Sequence, residues 1–118
     1  MSDEFLRVAR KEVSEDIAAI GNLLKNCQSD GDFAKIASDV EKRIHKLKGL
    51  APMMGQEQIG EISTMLDKVL KDVISGAVIP GVYDVMTNSY NVMSDLMGGK
   101  QADCDSLVDK IEKITHSS

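Results

Sequence analysis

Five runs of apolar residues stepping by three and four, separated by short breaks rich in glycine, limit what this chain can fold into. The first is Leu6, Ala9, Val13, Ile17, Ile20 and Leu24, and the stretch Asn26 to Gly31 interrupts it. Phe33, Ile36, Val40, Ile44, Leu47, Ala51 and Met54 follow, up to Gly55. A third run is Ile59, Ile62, Leu66, Val69 and Val73, closed by Ser75-Gly76. A fourth is Val82, Val85, Ser89, Met93 and Leu96, ending at Gly98-Gly99. A shorter fifth reads Cys104, Leu107, Ile111 and Ile114. Such spacing puts each run on one face of a helix. Strand-type alternation extends nowhere over useful length. Ser2 is a candidate cap for the first helix, and Pro80 is expected at the first position of the fourth. Short connections make consecutive helices antiparallel. The predicted fold is all-α: an up-and-down antiparallel four-helix bundle with a short fifth C-terminal helix, one domain over residues 1–118.

Composition decides what this bundle is built from and what it avoids. At 118 residues the chain holds one core. Aromatics are only 3% with no Trp, so aliphatic residues and the seven Met must fill the core. A formal net charge of −5 argues against a nucleic-acid or anionic-membrane binder. The N-terminus lacks the apolar region of a signal peptide, and no apolar run approaches the roughly 20 residues of a membrane span. Cys27 and Cys104 are too few for a disulfide framework and read as reduced thiols. The expected location is the cytoplasm. The two His and two Cys show none of the short zinc-ligand spacings, so no metal site is expected. His116, near the C-terminus, is given no role.

His45 stands apart from the apolar stripe of its helix. At about 100° per residue it lies roughly 140° from the core direction, on the wetted side. Glu41 precedes it by one turn; Lys48 and Gly49 follow three and four residues on. A neutral imidazole on a rigid helix is a competent nucleophile near pH 7. A cation at Lys48 can neutralise a phosphoryl group placed on the ring. Gly in a helix interior costs about 1 kcal/mol relative to Ala, yet at Gly49 it leaves room for something bulky to approach. A solvated surface His with a chance Lys and a helix-ending Gly is the competing reading of the same residues.

The string His45-Lys46-Leu47-Lys48-Gly49-Leu50-Ala51-Pro52-Met53-Met54-Gly55 resembles the H-x-x-K-G motif of histidine-containing phosphotransfer (HPt) domains, with the family's further glycine at Gly55. The resemblance covers nearly the whole chain and is greatest to the N-terminal phosphotransfer domain of chemotaxis histidine kinases of the CheA type. It implies that His45 is the phosphoacceptor, with Lys48 stabilising the phosphoryl group. A partner-docking face is expected at Glu41, Lys46, Gly49 and Met53, since transfer brings the partner's surface close around His45. The family orients the ring with a Glu from the next helix. The matching residue here is Asp67, one methylene shorter, which reaches His45 through a water or not at all; Thr64, a turn earlier, is the next candidate. A plainer reading makes Asp67 a solvated carboxylate paired with Lys68 or Lys71. Pro52 is a second departure, since it removes an amide donor and crowds the carbonyl of Lys48. The second helix should therefore kink or stop within a turn of the site. Of Met53 and Met54, one is expected in the core and the other as an adaptable apolar contact beside His45.

The expected function is that of a phosphocarrier in two-component or chemotaxis signalling. His45 takes a phosphoryl group from a histidine kinase catalytic domain and passes it to an aspartate of a response-regulator receiver domain. The sequence contains no P-loop or glycine-rich nucleotide motif. Cofactors are thus expected from the partners, ATP from the kinase and Mg from the receiver. The chain reads as a monomer, either a free-standing protein or the first domain of a chemotaxis kinase. Two other readings compete. The dimerisation and phosphoacceptor helices of a sensor kinase also have a Pro after the His, but usually follow the His with an acid and need a second chain. A structural or adaptor bundle would make Lys48 and Gly49 coincidental.

Overall fold

The computed structural model describes residues 2–116; Met1, Ser117, Ser118 and the side chain of His116 lie outside the described residues. Five helices follow in order: α1 (Asp3–Leu24), α2 (Asp30–Met53), α3 (Glu57–Ile74), α4 (Val82–Met97) and α5 (Cys104–His116). No strand occurs among the described residues. At about 1.5 Å per residue, α2 is roughly 36 Å long. The link to α3 is residues 54–56 alone, too short to carry the chain back along it, so the two helices run antiparallel. α2 packs most extensively on α3, and α1 lies against α2 and α4. α5 closes the edge between α3 and α4. No described helix is long and apolar enough to cross a membrane.

The apolar stripes converge as their spacing requires. Phe33, Val40, Ile44, Leu47 and Ala51 of α2 meet Ile59, Ile62, Leu66 and Val69 of α3 in one core. Burying each large member contributes about 1.5–3 kcal/mol. Leu6 departs from the expectation: it is exposed along with Phe5 and Val8, and the buried stripe of α1 begins at Ala9. Cys27 and Cys104 are free thiols.

The helix starts explain the breaks. Ser2 caps α1 by accepting from the Phe5 amide at 3.1 Å. Ser29 does the same for α2 with the Asp32 amide, while Asp32 accepts from the Gln28 amide. α4 corrects the placing of Pro80. It begins at Val82 with Gly81 as its cap, at φ 89°, so Pro80 belongs to the preceding turn. The carboxylate of Asp30 reaches across from α2 and accepts from the amides of Gly81 and Tyr83 at 3.0 and 2.8 Å. A tertiary cap has replaced the local one.

α2 runs on through Pro52 to Met53, eight residues beyond His45, so it stops about two turns past the histidine rather than within one. What makes room for the Pro52 ring is Gly60 of α3. A Cβ at Gly60 would collide with Pro52 Cγ and stand 2.9 Å from Cδ. Gly60→Ala gains about 1 kcal/mol of helix propensity but overpacks a rigid ring at about 1–3 kcal/mol. A lower melting midpoint is therefore expected; a higher one would show that α2 and α3 separate there without cost.

Candidate functional site

The site forms where the middle of α2 crosses α3. His45 follows the buried Ile44 by one position, so its ring turns outward and is 60% exposed. Asp67 follows the buried Leu66 on α3 but lies in the α2–α3 contact and is only 2% exposed. Its Oδ2 is 3.7 Å from His45 Nδ1. That exceeds a hydrogen bond, so the shorter acid stops just short of the ring. Lys48 Nζ and Lys71 Nζ each reach the same Oδ2 at 3.0 Å. Asp67 is thus neither solvated nor paired with Lys68; it is buried between two ammonium groups. Its Oδ1 is buried without a hydrogen-bond partner.

Electrostatics at Asp67 follow from this crowding. Burial alone would push its pKa up, but the hydrogen bonds from Lys48 and Lys71 outweigh it and hold the carboxyl at about 2, below the ordinary 3.8. A carboxyl whose pKa is lower when folded stabilises the fold above its unfolded pKa. That contribution is lost as pH falls through the folded value. The bundle should lose about 2 kcal/mol from this group between roughly pH 4 and pH 2. Denaturant titrations across that range should give a flatter pH dependence for Asp67→Asn; an unchanged slope would mean Asp67 is as free in the fold as out of it.

The remaining sequence candidates are placed less centrally. Glu41 is half-buried and joins His45 and Asp67 in a group whose donor atoms all lie within 4.8 Å of one another. Such a set has the spacing to hold a cation, and ligand spacing along the chain could not reveal it because it is assembled from two helices. The two ammonium groups on Asp67 oppose a dication there. Thr64 is exposed and its hydroxyl donates to the Gly60 carbonyl at 2.8 Å, so that proton is committed to α3. Lys46 turns to the other side of α2, where it and Arg43 contact Asp16 Oδ1 of α1 at 3.2 and 3.0 Å. Gly49 is exposed, and a Cβ there would meet nothing within 4 Å. Met53 is 50% exposed, while Met54 packs against the core.

Asp16 and Arg43 escape a sequence reading, while the pairing of Lys71 with Asp67 is one that the sequence offers. Signals for Asp16 and Lys71 exist. Asp16 lies three residues after Val13 and four before Ile20, on the flank of an apolar stripe, where an acid needs partners. Lys71 lies four residues after Asp67, the spacing of a helical ion pair.

Comparison with known proteins bears on the whole chain. It is 22% identical over 124 aligned positions to the chemotaxis protein CheA of Listeria monocytogenes serovar 1/2a, and equally to that of Listeria innocua serovar 6a. The alignment takes in 98% of this chain. It is similar to a stretch of CheA. The chain spans 20% of the length of these CheA relatives. No family model and no solved structure matches the chain.

Proposed function

We propose that the chain is a phosphotransfer domain of chemotaxis-type signalling. In this reading a histidine kinase domain phosphorylates His45, and a receiver-domain aspartate takes the group onward. The observation that carries it is an exposed imidazole, backed at 3.7 Å by a buried carboxylate and flanked by Lys48. Asp67 beside Nδ1 favours the tautomer with its proton there, leaving the Nε2 lone pair outward as nucleophile. That lone pair attacks phosphorus as the donor's bond breaks and its leaving group takes the electron pair. The ring then bears Nδ1–H, an Nε2–P bond and a positive charge, which the carboxylate offsets. Lys48 supplies a charge-assisted donor to the phosphoryl oxygens. The similarity to CheA across nearly the whole chain supports the same reading. Nucleotide chemistry is left to the partner kinase.

Incubation with phosphoramidate, acetyl phosphate and a kinase core with labelled ATP tests this. The expected product is an acid-labile, base-stable phosphoryl group mapped to His45 by mass spectrometry. An adaptor bundle would take no label from any donor. The dimerising sensor-kinase reading requires a dimer, which sedimentation would detect.

A further inference from the structure

We propose that Lys71 is a positioning residue for transfer: it keeps Asp67 paired when Lys48 leaves that carboxylate for the phosphoryl group. The inference rests on His45 being the acceptor. Asp67 Oδ2 serves three groups at once, Lys48 and Lys71 at 3.0 Å and His45 Nδ1 at 3.7 Å. A carboxylate oxygen has two lone pairs, and the two ammonium groups occupy them. That competition, together with the short Asp side chain, keeps the imidazole beyond hydrogen-bond range.

The two lysines are not equivalent. Lys48 comes from α2, three residues after His45, and can swing toward a group on its ring. Lys71 sits on the same helix as Asp67, four residues on, and keeps its place whatever occupies the imidazole. Once phosphorus is on Nε2, Lys48 moves to the phosphoryl oxygens and frees a lone pair of Oδ2. Nδ1–H can then occupy it. One movement supplies a cation to the phosphoryl group and an acceptor to the ring. It demands that Asp67, 2% exposed, never be left without a cation, because a bare buried carboxylate is costly. Lys71 meets that demand. Without it, Lys48 is the remaining lysine on Asp67 and is held there. Glu41, the other acid in the group, adds negative charge and makes a second cation more necessary.

The test compares the parent with Lys71→Met, Lys71→Arg and Lys68→Met, using phosphoramidate as a donor too small to need a docking surface. Lys68 is exposed on the same helix and does not contact Asp67, so its loss controls for bulk charge. Lys71 is 58% exposed and in the last turn of α3, so its variants should remain folded by circular dichroism. Phosphorylation followed by 31P NMR should slow about tenfold or more in Lys71→Met, the loss of one charge-assisted contact. Lys71→Arg should recover most of the rate, and Lys68→Met should stay within about twofold, as expected for a screened surface charge. In the parent the Nδ1–H proton should show the downfield shift of a carboxylate hydrogen bond only after phosphorylation, whereas in Lys71→Met, where Oδ2 has a lone pair free beside Lys48, the shift should already be present before it. A parental rate in Lys71→Met, or equal slowing in Lys68→Met, overturns the inference and leaves the carrier reading intact. A parent that takes no phosphoryl group sinks the carrier reading and this inference with it.

Discussion

His45→Gln should take no phosphoryl group from any donor while folding as the parent does. An amide nitrogen has no lone pair to offer in place of Nε2, so the loss is of the reacting atom itself. Stability should change little. The ring is 60% exposed and the carboxylate beside it, Asp67, stands at 3.7 Å, beyond a hydrogen bond. Exposed substitutions of this kind fall within about 0.5 kcal/mol. Asp67 keeps both lysines in the variant, so no buried charge is left bare. The readout is the acid-labile label against a melting curve. Undiminished labelling would remove His45 as the acceptor, and a large fall in melting midpoint would mean the ring is structural after all.

The helices were legible because their signal is local and repeated. Every apolar position assigned to α3 is buried, since a period near 3.6 over eighteen residues leaves little freedom in which face turns inward. Boundaries that depend on another helix were not legible. Pro80 is a good first residue by its own chemistry, but Asp30, fifty residues away, caps the helix at Gly81 instead. The site divides the same way. His45, Lys48 and Gly49 share one helix, so spacing along it brings them to one flank. Lys46 shares that string but not that flank, because one residue on is about 100° around the helix, and there it meets Asp16 of α1. Asp67 was reachable through family resemblance alone; that it is buried and shared by two ammonium groups is a product of α2 packing on α3.

That packing leaves one bare stretch of backbone on the His45 flank, and filling it should separate stability from transfer. A side chain at Gly49 meets open space, since no atom lies within 4 Å of a Cβ there. Gly49→Leu should therefore raise helix stability by up to about 1 kcal/mol. Transfer between proteins is another matter. The phosphorus donor and acceptor atoms must come within about 3–3.5 Å, which brings the partner's surface down around the imidazole. A leucine one turn from His45 would project into that approach and hold the partner off. Misplacement by about 1 Å can cost about a hundredfold. Gly49→Leu is thus expected to melt no lower than the parent, yet to exchange phosphoryl groups with a kinase or receiver domain at least about tenfold more slowly. Acetyl phosphate, which needs no flat approach, should lose much less, and Gly49→Ala should fall between. The ratio of the two donor rates is the measurement. Equal slowing with both donors would mean the leucine disturbs the imidazole itself. Parental rates with both would make Gly49 an irregularity of a helix about to end at Pro52, with the docking face elsewhere.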